Sequence, residues 1–244
     1  MAVVELAGRP VIPVEQIRER ALLCPVIITR NNQLPFVMQE SEQVANGAFS
    51  RCFKHQDGWA IKIHEYAENG ISEIERVKEI LGIDKQEYEQ LRKGRLGEYA
   101  TETSFIIGRG PGGNVAEIQV QPWVEGRVLG EMDVSEIWSN RAILTEIREF
   151  GVSLILDGTR TGRFTDYMGF NVRKDCGFTT KIRARSLLAS RNLIWDGTRL
   201  HLIDVTNHTW QKSKRLSQIK HNLAIIFCVT KDLIRINRRL KQMA

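Results

Sequence analysis

The sequence predicts an α+β protein whose β-rich first half gives way to a helical second half. Three observations lead there. Strand-like runs fill residues 43–53, 59–63, 103–107 and 116–123. Reversals carrying glycine, Asp57-Gly58 and the stretch Gly108-Arg109-Gly110-Pro111-Gly112-Gly113, separate the members of each pair. Beyond Gly126 the apolar residues recur mainly at helical spacing, most persistently over 134–156 and 217–240. With 244 residues, 42% of them hydrophobic and 26% charged, the chain belongs with globular proteins that bury a real core, and disordered and fibrous classes are excluded.

Taken in order, residues 14–23 form a helix candidate, 26–29 a short strand and Asn31-Asn32 a turn. The runs 43–53 and 59–63 then read as a hairpin around Asp57-Gly58. Over 71–81, Ile71, Ile74, Val77, Ile80 and Leu81 share one face of an amphipathic helix. A charged stretch leads to a second hairpin, 103–107 with 116–123. Its glycine turn contains no GxGxxG and opens no βαβ unit, so it is not a dinucleotide fingerprint. A strand pair near 193–205 interrupts the helical half. The best boundary lies near 124–130, which predicts an extension over 1–40, a β-rich domain over 41–125 and a helical domain over 126–244.

Four cysteines, Cys24, Cys52, Cys176 and Cys228, stand far apart without CxxC or Cys/His spacing, so neither a zinc site nor a disulfide framework is expected. The start, MAVVELAGRP, lacks the pattern of a signal peptide and no window reaches 18 apolar residues, so a cytoplasmic protein without a membrane span is expected. Thirty-five Lys and Arg against 29 Asp and Glu give a net charge of +6 and a pI near 9.2, which favours polyanions without specifying one.

The run Val44-Ala45-Asn46-Gly47-Ala48-Phe49-Ser50-Arg51-Cys52-Phe53-Lys54, followed by Ala60-Ile61-Lys62, puts small residues in a hairpin ahead of a strand lysine. This resembles the glycine-rich loop and lysine strand of the protein-kinase-like superfamily. Gly47 stands at the central glycine, while Ala45 and Ser50 replace its neighbours. The resemblance implies a bilobal kinase-like fold, with Ala45, Gly47, Phe49 and Ser50 covering ATP phosphates and Lys62 reaching them. The helix after Lys62 offers Glu73 or Glu75 to orient that lysine, and Glu73 is favoured. The stretch Gln119-Val120-Gln121-Pro122-Trp123-Val124-Glu125-Gly126 is similar to the family's hinge, which implies adenine contacts from Gln121, Trp123 and Val124 through their main chain.

The segment Asn192-Leu193-Ile194-Trp195-Asp196-Gly197-Thr198-Arg199-Leu200-His201-Leu202-Ile203-Asp204 resembles the part that holds magnesium in these kinases, and implies Asp204 as the main Mg²⁺ ligand with Asn192 as the second. Val205 and Thr206 replace the usual Phe-Gly. An ordinary catalytic loop would put its aspartate five residues before Asn192, where Leu187 stands. Asp166 is the alternative base, with the segment up to Asn192 read as an insertion. Asn171 has the family's spacing to Asp166 and competes with Asn192 as ligand. Phe164 and Thr165 replace the usual histidine and arginine.

Within the insertion, Lys174, Lys181, Arg183, Arg185 and Arg191 would suit an acidic or phosphorylated acceptor, and residues 231–241 form a second basic run. With 40 residues after Asp204, a reduced helical lobe is expected. The first reading is therefore an ATP- and Mg²⁺-dependent phosphotransferase acting on a protein or small-molecule acceptor. Its alternative is a pseudokinase serving as a nucleotide-binding or regulatory module. A basic nucleic-acid-binding protein ranks third, because no aromatic-basic recognition module accompanies the charge.

Overall fold

The computed structural model describes residues 3–6, 9–13, 26–28, 35–37, 41–46, 51–55, 58–65, 72–109, 115–168, 185–205 and 215–243. The chain is α+β, with an antiparallel-sheet N-terminal region and a helical C-terminal part, as the sequence predicts. It divides into two compact units, Met1–Gln86 with Glu102–Trp123, and Glu87–Thr101 with Val124–Ala244. The expected helix over 14–23 and the turn at Asn31-Asn32 lie outside the described residues.

In the first unit, β1 (Val3–Leu6) pairs with β2 (Arg9–Pro13), and β3 (Val26–Ile28) with β4 (Pro35–Val37). A five-stranded antiparallel sheet carries the rest. Its strands are β5 (Ser41–Asn46), β6 (Arg51–His55), β7 (Trp59–Glu65), β8 (Ser104–Arg109) and β9 (Val115–Pro122), in the order β5-β6-β7-β9-β8. The single run expected over 43–53 is in fact two antiparallel strands, one ending at Asn46 and the next starting at Arg51, which stand opposite each other. Between β6 and β7, Gly58 takes φ +80° and donates its N–H to the His55 carbonyl at 3.0 Å, the reversal that Asp57-Gly58 foreshadows.

Both faces of β9 are buried, and β7 is buried on one face and half-buried at Ala60 and Lys62 on the other. Ile61, Ile63, Ala116, Ile118 and Val120 make one face, and alternation puts Lys62, His64, Glu117, Gln119 and Gln121 on the other. Helix α1 (Ser72–Lys93) runs well past the expected end at Leu81, because the charged stretch beyond is rich in Lys, Gln, Glu and Leu, all good helix formers. Val77 and Leu81 are buried as predicted, and the helix stops at Gly94.

In the second unit, β10 (Arg127–Val128), β11 (Leu193–Trp195) and β12 (Leu200–Leu202) form a three-stranded antiparallel sheet. The helix expected over 134–156 is two helices, α2 (Val134–Ser139) and α3 (Arg141–Thr161). The break comes from Asn140, which leaves helical dihedrals so that its Oδ1 can accept from the N–H groups of Ala142 at 3.0 Å and Ile143 at 3.2 Å. Helix α3 ends on Gly162 at φ +71°.

The last helix, α4 (Arg215–Gln242), lies antiparallel to α3: Arg141 donates to the Met243 carbonyl at one end, and Asn222 to the Gly162 carbonyl at the other. Ile143, Ile147, Phe150 and Leu154 of α3 meet Ile225, Val229 and Ile236 of α4 in one core that also takes in Leu193, Leu200 and Leu202. Tyr99 packs edge-on against Phe150, ring centroids 5.2 Å apart. Among the described residues no helix is long and apolar enough to cross a membrane.

Candidate functional site

Lys62 sits in the middle of β7, half-buried, with Cys52 of β6 opposite it on one side and Gln119 of β9 on the other. Gln119 donates to Glu117 Oε1 at 3.0 Å, and Glu117 is fully buried, its Oε2 without a hydrogen-bond partner among the described residues. Neither residue is expected from the sequence reading. The alternation in Ala116-Glu117-Ile118-Gln119-Val120-Gln121 is the signal that could have found them, since it gives β9 a polar face beside Lys62. A buried carboxylate on that face favours a neighbouring cation, because an isolated charge loses its hydration there.

Gln121 closes the same face, donating through Nε2 to Thr103 Oγ1 at 2.8 Å. Trp123 follows β9, and its N–H donates to the Gly58 carbonyl at 2.7 Å, so that main-chain donor is already engaged. The Trp123 ring lies under Lys54, whose Nζ stands 4.5 Å from the centroid. Ala45 is in β5 opposite Cys52. Gly47, Phe49 and Ser50 lie outside the described residues. Glu73 and Glu75 belong to the first turn of α1, and their side chains lie outside the description.

In the second unit, three chain segments meet around Asn192. Its Nδ2 donates to the Asp166 carbonyl at 2.7 Å, and its own carbonyl accepts from the Ile203 N–H at 3.0 Å, one residue before Asp204. Asp166, Asn192 and the Ile203-Asp204 peptide are thus tied together, although Asp166 and Asn192 are 26 residues apart. Asp166 Oδ1 accepts from the Met168 N–H at 3.0 Å, which fixes the turn that carries it. Two further bonds join this turn to the stretch before β11: Arg191 N–H to the Met168 carbonyl at 3.0 Å, and the Ser190 hydroxyl to the Tyr167 carbonyl. Tyr167 is fully buried, donates to the Arg185 carbonyl at 2.7 Å, and has its phenol pKa pushed up by that burial.

Val124, the last of the residues expected to contact adenine, is half-buried at the start of this unit. Asn171 and most of the basic insertion, Lys174, Lys181 and Arg183 included, lie outside the described residues. Leu187 is fully buried in a short 3₁₀ turn of the core, which explains why that position carries no carboxylate. Phe164 is also a core residue, packed on Gly158, where an added Cβ would come within 2.3 Å of its ring.

Two second-unit carboxylates are further surprises. Asp157 Oδ2 accepts from the Leu96 N–H at 2.9 Å and holds the turn after α1, while Asp232 Oδ2 takes the Ser186 hydroxyl and the Leu187 N–H. In the turn between β11 and β12, Asp196 Oδ1 accepts from the N–H groups of Thr198 and Arg199, and Oδ2 faces His201 at 2.7 Å. Partial burial raises the Asp196 pKa, but hydrogen bonds from Arg199, His201 and Thr198 outweigh it and hold the carboxyl well below its ordinary range. That aspartate builds the turn, and Gly197 at φ +101° completes it.

Among the described residues no cluster of three or more His, Cys, Asp or Glu could hold a metal ion by itself. The pair Asn192 and Asp204 is a hard oxygen set of the kind Mg²⁺ uses when nucleotide phosphates and water complete its shell, so the donor chemistry fits that ion.

No protein-family model matches the chain, and no curated protein does. Among solved structures it is similar to the Legionella pneumophila Lpg2603 kinase bound to IP6, at 13% identity and a TM-score of 0.43, over 82% of this chain and 66% of that one. It is similar to WbdD at 13% identity and a TM-score of 0.33, over 82% and 47%, and to the GDP and kanamycin complex of APH(2")-IIia at 12% and 0.36, over 93% and 85%. The chain therefore spans 66% and 47% of the first two structures. Scores below 0.5 carry no argument about this chain, so the kinase-like reading rests on the sequence motifs that resemble that superfamily.

Proposed function

We propose that the chain is a nucleotide-dependent phosphotransferase of the protein-kinase-like superfamily, using ATP and Mg²⁺. In this reading Lys62 holds the phosphates, Glu73 orients Lys62, Asp204 and Asn192 hold the metal, and Asp166 positions an acceptor hydroxyl. The observation that carries it is the bond from Asn192 Nδ2 to the Asp166 carbonyl, together with the Ile203 bond to Asn192. It joins, in one hydrogen-bonded group, residues whose roles the motif order assigns separately.

Bound Mg²⁺ would supply charge neutralisation at the transferring phosphoryl group. The protein's own part is positioning. Asn192 spends its Nδ2 on the Asp166 carbonyl, which leaves Oδ1 as its acceptor atom and fixes the amide's rotamer. The acceptor remains a protein or small molecule, with acidic groups suited to the basic insertion.

Titration calorimetry with ATP, with and without Mg²⁺, on the wild type and on Asp204→Ala tests this. Magnesium-dependent binding lost in the variant supports the reading, and no binding to either protein overturns it. A second reading, the pseudokinase, is favoured by Phe164 and Leu187, core side chains at positions where an ordinary kinase loop keeps polar ones. Tight ATP binding without ADP formation, over a panel of acceptors, distinguishes the two.

A further inference from the structure

A cavity of about 290 Å³ lies in the second unit between the start of α2, the 3₁₀ turn Leu187–Ala189 and α4. None of the residues assigned to phosphate transfer lines it. Met132, Val134 and Leu188 supply apolar wall, Lys231 and Arg235 stand at it as exposed cations, and Asp232 reaches it from α4. The Arg235 guanidinium lies 5.4 Å over the Trp138 ring, which steadies it.

Asp232 is the unusual member. It is only 5% exposed, and Ser186 and Leu187 both bond to its Oδ2, at 2.8 and 2.9 Å. Its Oδ1 makes no hydrogen bond or ion pair among the described residues, although the residue lines a cavity large enough for about a dozen non-hydrogen atoms. A nearly buried carboxylate whose second oxygen takes no bond from the described residues gains from a donor brought into the cavity, and a charged donor suits it best. Burial also raises its pKa, so an ammonium partner would stabilise the charged form that desolvation opposes.

We propose that this cavity binds a small zwitterion with an apolar body, of which a free apolar α-amino acid is the simplest case. Its ammonium bonds Asp232 Oδ1, its carboxylate meets Lys231 and Arg235, and its side chain lies against Met132, Val134 and Leu188. The three lining features differ in chemistry and match the three parts of such a molecule. A simple amine would be repelled by the two cations, and a simple acid would bring no donor to Asp232 Oδ1. The site is separate from the nucleotide reading and does not depend on it.

The test titrates L-phenylalanine and L-leucine into the full chain by calorimetry. One-to-one binding of L-phenylalanine is expected, weakened about tenfold or more for N-acetyl-L-phenylalanine, which lacks the ammonium, and likewise for 2-phenylethylamine, which lacks the carboxylate. Asp232→Asn should weaken binding by a similar factor. Ala189→Leu, which fills the cavity from its wall without touching Asp232, should abolish it and decides the matter if the first variant fails to fold. No saturable binding of either amino acid up to about 20 mM, well above any useful affinity for a molecule of this size, overturns the proposal. So does equal affinity for the N-acetyl compound, or binding unchanged in Ala189→Leu. ATP titrated into the same samples reports on the other site, so each reading can fail alone.

Discussion

Replacing Asn192 by alanine tests the hydrogen-bonded group directly. Asn192 is 8% exposed and its Nδ2 is 2.7 Å from the Asp166 carbonyl. The substitution removes that donor while sparing the main-chain bond from Ile203. Losing this part-buried hydrogen bond costs about 0.5–1.5 kcal/mol, and the small void left by the amide adds to it, so a loss of about 2 kcal/mol is expected. At about 2–4 °C per kcal/mol for a chain of this size, Tm should fall by about 4–8 °C. Asn192→Asp keeps the shape but turns an acceptor toward the carbonyl, and should cost more than alanine. Differential scanning calorimetry measures both. Asn192→Ala should also weaken Mg²⁺-dependent ATP binding about tenfold or more, because Asn192 Oδ1 is the proposed second metal ligand. A Tm for Asn192→Ala within about 1 °C of wild type would show that the amide holds nothing, and the geometric basis for pairing Asp166 with Asn192 would fall with it.

Other outcomes follow from single contacts. His221 has its pKa lowered from 6.5 to about 4, first by burial and then by repulsion from Arg185, so the folded state excludes the proton that the unfolded chain accepts. Its contribution is complete above about pH 6.5 and is lost as pH falls toward about 4, worth about 1–3 kcal/mol after allowing for its partial exposure. The melting curves of His221→Gln should therefore depend less on pH in that window, and an unchanged slope would refute the assignment. Gly158→Ala would push Phe164, with ring atoms 2.3–2.6 Å from the new Cβ, and should cost about 1–3 kcal/mol, with Phe164→Leu in the same chain restoring part of the loss. Asn140→Ala removes the cap that separates α2 from α3 and should lower stability by about 1 kcal/mol in chemical denaturation, with no effect on ATP affinity.

The parts of this protein that sequence reveals are those fixed by short-range rules, and the two hairpins with Asp-Gly turns show why. In the turns at Gly58 and Gly197 a residue with φ above zero is required, and the alternation on either side then sets the register. The relation between Asn192 and Asp204 is legible for the same reason, since β11 and β12 bring them together whatever the rest of the chain does. Helix limits are less legible because periodicity alone does not see a cap. The pattern over 134–156 continues through Asn140, while the side chain of Asn140 stops it, and α1 goes on past Leu81 because propensity outlasts the apolar stripe.

Asp166 is a harder case. The spacing that identifies a catalytic aspartate in a short loop points to Leu187, and Leu187 belongs to the core. Only the fold brings Asp166 to Asn192, through a turn held by Met168, Tyr167 and Ser190, and none of those bonds is visible as a motif. The same holds for Glu117 and Asp232. Sequence alternation can say which face of a strand or helix a carboxylate occupies, but whether that face is wet or dry depends on what packs over it, and the chemistry of a buried carboxylate depends on that difference. Glu117 keeps a buried oxygen with no hydrogen-bond partner among the described residues on the polar face of β9, and Asp232 has an oxygen that takes no bond from the described residues at the edge of a cavity. An acceptor in that position is the feature by which structure adds a candidate partner to a residue that composition alone would assign to the solvent.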